Sequence, residues 1–127
     1  MTPELPNILI SAKDLYLKAG RNDLVEAVSL EVSEGEIVSV IGPNGAGKTT
    51  TIKAIATLIE PTYGEILVDG IPVLHQPEEA RRIIGYMPDF PPVYDDLRIE
   101  EFCDLFAHAY GLDRNVRAKK VEECLRL

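Results

Sequence analysis

The chain predicts an α/β fold, and three stretches carry that prediction. Val28 to Ser33 alternates, with Val28, Leu30 and Val32 on one side and Ser29, Glu31 and Ser33 on the other, the period of a strand covered on one face. Ile37 to Ile41 is apolar nearly throughout, as suits a central strand covered on both faces. Ile52, Ile55, Ala56 and Ile59 then recur at i, i+3, i+4 and i+7, which puts one helical stripe against a sheet.

The remaining elements follow in order. Residues 1–10 read as an extended lead-in, because Pro3 and Pro6 fix φ and lack an amide proton. The alternating strand at 28–33 turns at Glu34-Gly35. The apolar strand ends at Gly42, and Pro61 stops the helix beyond it. A strand at Glu65–Asp69 turns at Asp69-Gly70 into Ile71–Leu74. Pro77-Glu78-Glu79 starts a short helix on which Arg81 and Arg82 are expected to pair with Glu78 and Glu79. Arg82–Met87 reads as a second buried strand, and the proline-rich residues 88–92 as a loop. Phe102, Leu105, Phe106 and Ala109 form a second helical stripe, read as core and ended by Gly111. Ala118, Val121, Cys124 and Leu125 mark a third.

Composition narrows the function classes. With 127 residues, the chain is expected to be one domain or less, and 46% hydrophobic with 27% charged residues is a globular balance. Thirteen basic against twenty-one acidic residues leave a net charge of −8. Such a surface repels phosphate backbones, so nucleic acid is not an expected partner. An anion would need a local device strong enough to overcome that field. No apolar run approaches a bilayer span, and the start MTPELPNILI lacks a signal-peptide pattern. Cys103 and Cys124 show no metal-ligand spacing and read as free thiols packed as small hydrophobes. The expected compartment is the cytoplasm.

That local device is Gly42-Pro43-Asn44-Gly45-Ala46-Gly47-Lys48-Thr49-Thr50. It fits the phosphate-loop pattern G-x-x-x-x-G-K-[ST], between a predicted strand and a predicted helix. Glycines at 42, 45 and 47 permit backbone angles that are strained for other residues. Main-chain amides of residues 45–49 can then curl into an anion nest, reinforced by the positive end of the following helix. Lys48, the candidate catalytic residue, places a full charge between the β- and γ-phosphates. The Thr49 hydroxyl is a hard oxygen ligand for Mg²⁺, and Thr50 can donate to the α-phosphate. The expected ligand is a nucleoside di- or triphosphate with Mg²⁺. This makes the fold a P-loop nucleotide-binding core.

The stretches EAVSLEVSEGEIVSVIGPNGAGKTTTIKAIATLIEPTYGEILVDG and IGYMPDFPPVYDDLRIEEFCDLFAHAYGL resemble the ATP-binding domain of ABC transporters, from about residue 11 to 127. The PNGAGKTT loop and the YGL-ended helix look most like bacterial exporters with a separate ATPase subunit. The resemblance implies ATP and Mg²⁺ as cofactors and a small antiparallel β-subdomain over roughly residues 11–35 and 65–74. It also implies a second ATP-binding subunit and transmembrane subunits as partners, hence a place at the inner face of the membrane.

Three departures qualify it. The family stacks adenine on an aromatic ring just before a glycine, whereas Gly20 follows Ala19 and Tyr16 is the nearest ring. Weak base discrimination is therefore expected, with Tyr16 read as a sheet residue. Asp89 stands where the family has a glutamine, and its carboxylate is a candidate Mg²⁺ ligand. The family's signature motif, its Mg²⁺-holding aspartate, its catalytic glutamate and its switch histidine stand downstream and are not among these residues. His75 and His108 occupy other places. The expectation is the N-terminal portion of one nucleotide-binding domain, able to bind MgATP but without the residues that hydrolyse it. A nucleotide-responsive binding module and another P-loop kinase or NTPase are the alternatives. The acidic residues Asp89, Asp95, Asp96, Glu100, Glu101 and Asp104, with Arg98 alone against them, read as a solvated face. Because the family docks its membrane subunit in this region, a basic partner helix is the functional alternative.

Overall fold

The computed structural model describes residues 5–127. They form two compact units, one ending at Tyr86 and the other spanning Met87–Leu127. Of the lead-in, residues 1–4, including Pro3, lie outside the described residues. Its last three residues already belong to a strand.

The first unit is built on an antiparallel sheet of order β2-β1-β3-β4. Strands β1 (Ile8–Ala19) and β2 (Asn22–Ser33) form a long hairpin, closed where Ala19 pairs with Asn22 across Gly20-Arg21. On the other side of β1 runs β3 (Tyr63–Val68), in register from Ile10 opposite Val68 to Tyr16 opposite Tyr63. That register shifts between Lys13 and Tyr16, where Asp14 adopts a positive φ of 47°. Gly64 accommodates the bulge, since a Cβ there would come within 2.6 Å of the Asp14 carbonyl oxygen and 2.7 Å of that of Lys13. The sequence-predicted turn at Asp69-Gly70 joins β3 to the short β4 (Ile71–Pro72). Both turn residues have positive φ, 47° and 74°, the type I′ geometry that matches strand twist.

One face of the sheet makes the core. Ala12, Leu15, Leu17, Val25, Ile66 and Val68 are buried there with Ala54 of helix α1 (Lys48–Ile55) and Ala80 of helix α2 (Pro77–Ile83). Leu15 and Ile66 are the largest side chains fully sealed from water.

Four expectations about this unit are corrected. Ile37–Ile41 joins no sheet. It keeps the alternation of a strand, with Ile37 95% and Ile41 91% exposed, while Val38 and Val40 line an apolar groove of about 290 Å³ with Ile10, Leu30, Ile84 and Tyr86. Antiparallel partners are found one tight turn away, but a parallel neighbour must arrive by a long crossover. Arg82–Met87 is likewise not a strand, because Arg82 and Ile83 end α2 and residues 84–88 are unpaired. Finally, α1 stops at Ile55, well before Pro61. Thr57, at φ 65°, takes the left-handed position, while the Thr57 amide donates to Ala54 O and the Leu58 amide to Lys53 O, a Schellman ending. Arg81 does not pair with Glu78 or Glu79 as expected. Its Nε donates to Thr57 Oγ1 at 2.6 Å, which ties the strained residue to α2.

The second unit is a helical hairpin, α3 (Ile99–Ala109) and α4 (Arg114–Leu125). The Arg98 amide donates to Glu101 Oε2 at 2.8 Å, half of a capping box that fixes the start of α3. Gly111, at φ 73° and with its amide on His108 O, ends it as the sequence predicts. The expectation of a buried stripe is corrected. No residue of α3 or α4 is buried, and Leu105 and Phe106 are each 44% exposed. The rings of Phe102 and Phe106 pack at a tilt of 50°, 4.8 Å between centroids.

Candidate functional site

The loop Gly42–Thr50 enters α1 through Gly47, its N-cap residue at φ 85° and ψ 10°. A Cβ on Gly47 would lie 2.5 Å from the Leu24 carbonyl oxygen and 2.9 Å from Val25 Cγ2. Only glycine lets the loop pass this close to β2. Gly45 also has a positive φ, 82°, but faces open space, so its requirement is conformational rather than steric. The Ala46 amide closes a turn on Pro43 O at 3.2 Å. Thr51 sends both its amide and its hydroxyl to Gly47 O, at 2.9 and 2.8 Å, which anchors the first helical turn.

No side chain caps the start of α1, and its first turn holds no acidic residue. The amides at a helix start carry positive partial charge and lack intrahelical acceptors. Lys48 adds a formal charge at the same place. Its Nζ donates to Pro43 O at 2.8 Å and to Gly42 O, so the ammonium lies over the loop it belongs to, held by two neutral carbonyls. Those are exchangeable partners, because a charged acceptor makes a stronger bond to an ammonium than a carbonyl does. Thr49 is exposed and Thr50 half-buried. The uncapped amides at the helix start, one ammonium and the exposed Thr49 hydroxyl form a set of groups that suits a polyphosphate and its hard divalent cation.

The other sequence candidates stand elsewhere. Asp89 belongs to the second unit, exposed in a bend after Pro88, whereas the nine loop residues belong to the first. Tyr16 is a sheet residue, as expected. It packs edge-on to Tyr63 at 6.5 Å and shares a shallow hollow with Asp14 and Lys18, while its neighbour Leu17 enters the core beside Ala54. Its ring therefore lies on the sheet face away from α1. His75 sits in the turn after β4. His108 contacts Arg117, with Nδ1 2.6 Å from Nη1. Arg117 also comes within 2.7 Å of Asp104 through Nε, as a charge pair without hydrogen-bond alignment. Arg98 bridges Glu100 and Glu101. Arg98 therefore has company against the acidic run, which sequence spacing alone did not reveal.

A glycine forced where the loop passes β2, and a lysine at the helix start that follows, define a P-loop nucleotide-binding domain of α/β class. The ABC transporter family profile matches residues 25–127, and the chain belongs to that family. It is 37% identical to the ABC-type transporter ATP-binding protein EcsA of Bacillus subtilis over 93% of its own length and 48% of that protein's. It is 39% identical to the ABC transporter ATP-binding protein NatA of the same organism, over 78% and 41%. Among solved structures, an ATP-binding subunit of an ABC transporter superposes with a TM-score of 0.74 at 42% identity, covering 84% of this chain and 45% of that one. The dimeric bacterial ABC transporter cassette MJ0796 gives 0.76 at 29% identity, over 92% and 56%. A post-hydrolysis form of that cassette carries ADP and Pi. The chain thus spans less than half the length of these two curated relatives.

Proposed function

We propose that this chain binds ATP with Mg²⁺ through Gly42–Thr50 and serves as the N-terminal, phosphate-gripping portion of an ABC transporter's ATP-binding domain. The uncapped helix start over which Lys48 Nζ is held by neutral carbonyls carries this reading. A triphosphate tail would draw Lys48 from Gly42 O and Pro43 O, accept from the amides of residues 45–49, and bring its cation to the Thr49 hydroxyl. The Mg²⁺ would neutralise phosphate charge that the chain's net −8 otherwise repels.

Turnover is a separate matter. Phosphoryl transfer to water needs a carboxylate or equivalent group that positions the nucleophile, and none of the nine loop residues supplies one. Binding without hydrolysis is therefore assigned to these residues, and hydrolysis to a whole domain paired with a second ATP-binding subunit and driving transmembrane subunits from the cytoplasmic face. Export is favoured by the PNGAGKTT loop with the helix ending in Tyr110-Gly111-Leu112. One Escherichia coli relative, 36% identical, is described as a probable multidrug ABC transporter ATP-binding protein.

The test of the main reading is anisotropy of a fluorescent ATP analogue with Mg²⁺, beside a single-turnover phosphate-release assay. Saturable binding that Lys48→Ala weakens about tenfold or more, the loss of a charge-assisted contact, without phosphate release, is expected. Equal binding by both proteins overturns the cradle, and Lys48-dependent phosphate release overturns the division between binding and turnover.

A further inference from the structure

We infer that the site takes nucleoside triphosphates of any base, with the base stacked on the Arg21 guanidinium at the closed end of the β1–β2 hairpin. This rests on the reading of Gly42–Thr50 as the phosphate cradle and assigns the other end of the same ligand. The cradle lies against that hairpin. A Cβ on Gly47 would stand 2.5 Å from the Leu24 carbonyl oxygen and 2.9 Å from Val25 Cγ2. From there β2 runs one way into the core, at Val25, and the other way to the turn at Gly20-Arg21. Residues 18–24 are all exposed, so the hairpin end stands in solvent beside the loop. Arg21 is three residues back from Leu24, about 10 Å at strand rise. A ribose and its base extend a comparable length beyond a gripped α-phosphate.

The charges at the hairpin end leave Arg21 available. Asp23 is the one carboxylate of residues 18–24, and Lys18 already pairs with it at 3.2 Å. Arg21 enters none of the ion pairs found among the described residues. Its planar cation can lie on a π-face, and every base offers one. Residues 18–24 contain no ring to compete with it, while Tyr16 and Tyr63 pack on each other across the sheet face away from α1. Strong discrimination between bases needs buried polar groups that the wrong base leaves unpaired. At an exposed hairpin end, water satisfies an exocyclic amino group or carbonyl equally well. Affinity then follows ring area rather than hydrogen-bond pattern.

Competition of ATP, GTP, CTP and UTP, each with Mg²⁺, against a fluorescent ATP analogue tests this, with inorganic tripolyphosphate as the control without a base. ATP and GTP should compete within about threefold of each other. Arg21→Lys keeps the charge and loses the plane. It should weaken all four nucleotides about two- to fivefold, the size of an exposed cation–π contact, and leave tripolyphosphate unchanged. A preference for ATP over GTP of about tenfold or more means that the base is read by hydrogen bonds and overturns the inference. Nucleotides and tripolyphosphate weakened equally would make Arg21 a phosphate contact, and unchanged nucleotide affinities would remove it from the site; either result overturns the stacking. All of these leave the cradle standing, whereas an analogue that shows no Lys48-dependent binding strikes the cradle, and this inference with it.

Discussion

Two apolar runs a few residues apart in one unit meet different fates. Val28, Leu30 and Val32 in β2 pair with β1 and pack against or beside the core. Ile37 to Ile41 has the more strand-prone composition yet joins no sheet and leaves Ile37 and Ile41 almost bare. What separates them is the distance along the chain to a hydrogen-bonding partner. β1 and β2 meet across a two-residue turn, so closing the hairpin costs little chain entropy. An apolar run designed for a parallel neighbour has no such local recourse. Hydrophobicity marks a segment for burial, and topology decides whether burial is within reach.

The contrast is sharpest at single side chains. Ile66→Ala removes a fully buried side chain from the paired region and should cost about 2–5 kcal/mol. Ile41→Ala, on the unpaired run, should change stability by less than about 0.5 kcal/mol. Urea midpoints would measure both, and equal losses would mean that the run at 37–41 is packed in solution.

A smaller effect separates the two left-handed glycines of the loop. Gly47→Ala meets both an unfavourable φ and the Leu24 carbonyl, so a loss of about 2–3 kcal/mol is expected, beyond the roughly 1–2 kcal/mol of left-handed strain alone. Gly45→Ala carries the strain without the clash and should lose about 1–2 kcal/mol. Thermal unfolding of the pair checks the ordering.

Smallest is the cap of the second unit. Glu101→Ala leaves the Arg98 amide without its carboxylate and should cost about 0.5–1 kcal/mol, read as reduced helicity at a temperature where the hairpin is partly melted. An unchanged melt would mean that packing, not capping, fixes where α3 begins.

Local chemistry was legible in the sequence wherever it acts over a few residues. Asp69-Gly70 announced its turn, Pro77 the start of α2, Gly111 the end of α3, and the nine letters from Gly42 the loop itself. What misled was reach. Arg81 lies near two glutamates on its own helix but bonds Thr57 on another segment, and Arg117 crosses from α4 to Asp104. No periodicity reports such partners. The stop of α1 at Ile55 was hidden for a related reason. A β-branched threonine in a left-handed position breaks the usual preference for glycine, and its hydrogen bond to Arg81 is visible only after folding. The obligation for glycine at 47 was legible as a motif letter, whereas its cause, the Leu24 carbonyl, required the structure.

The central claim is that the amides of residues 45–49 are the phosphate contacts, and amide chemical shifts report on them one at a time. Titrating the ¹⁵N-labelled chain with MgATP should shift Gly45, Gly47, Lys48 and Thr49 together and saturably, with the same shifts lost in Lys48→Ala. Shifts confined to other segments, or a spectrum that MgATP leaves untouched, would contradict it.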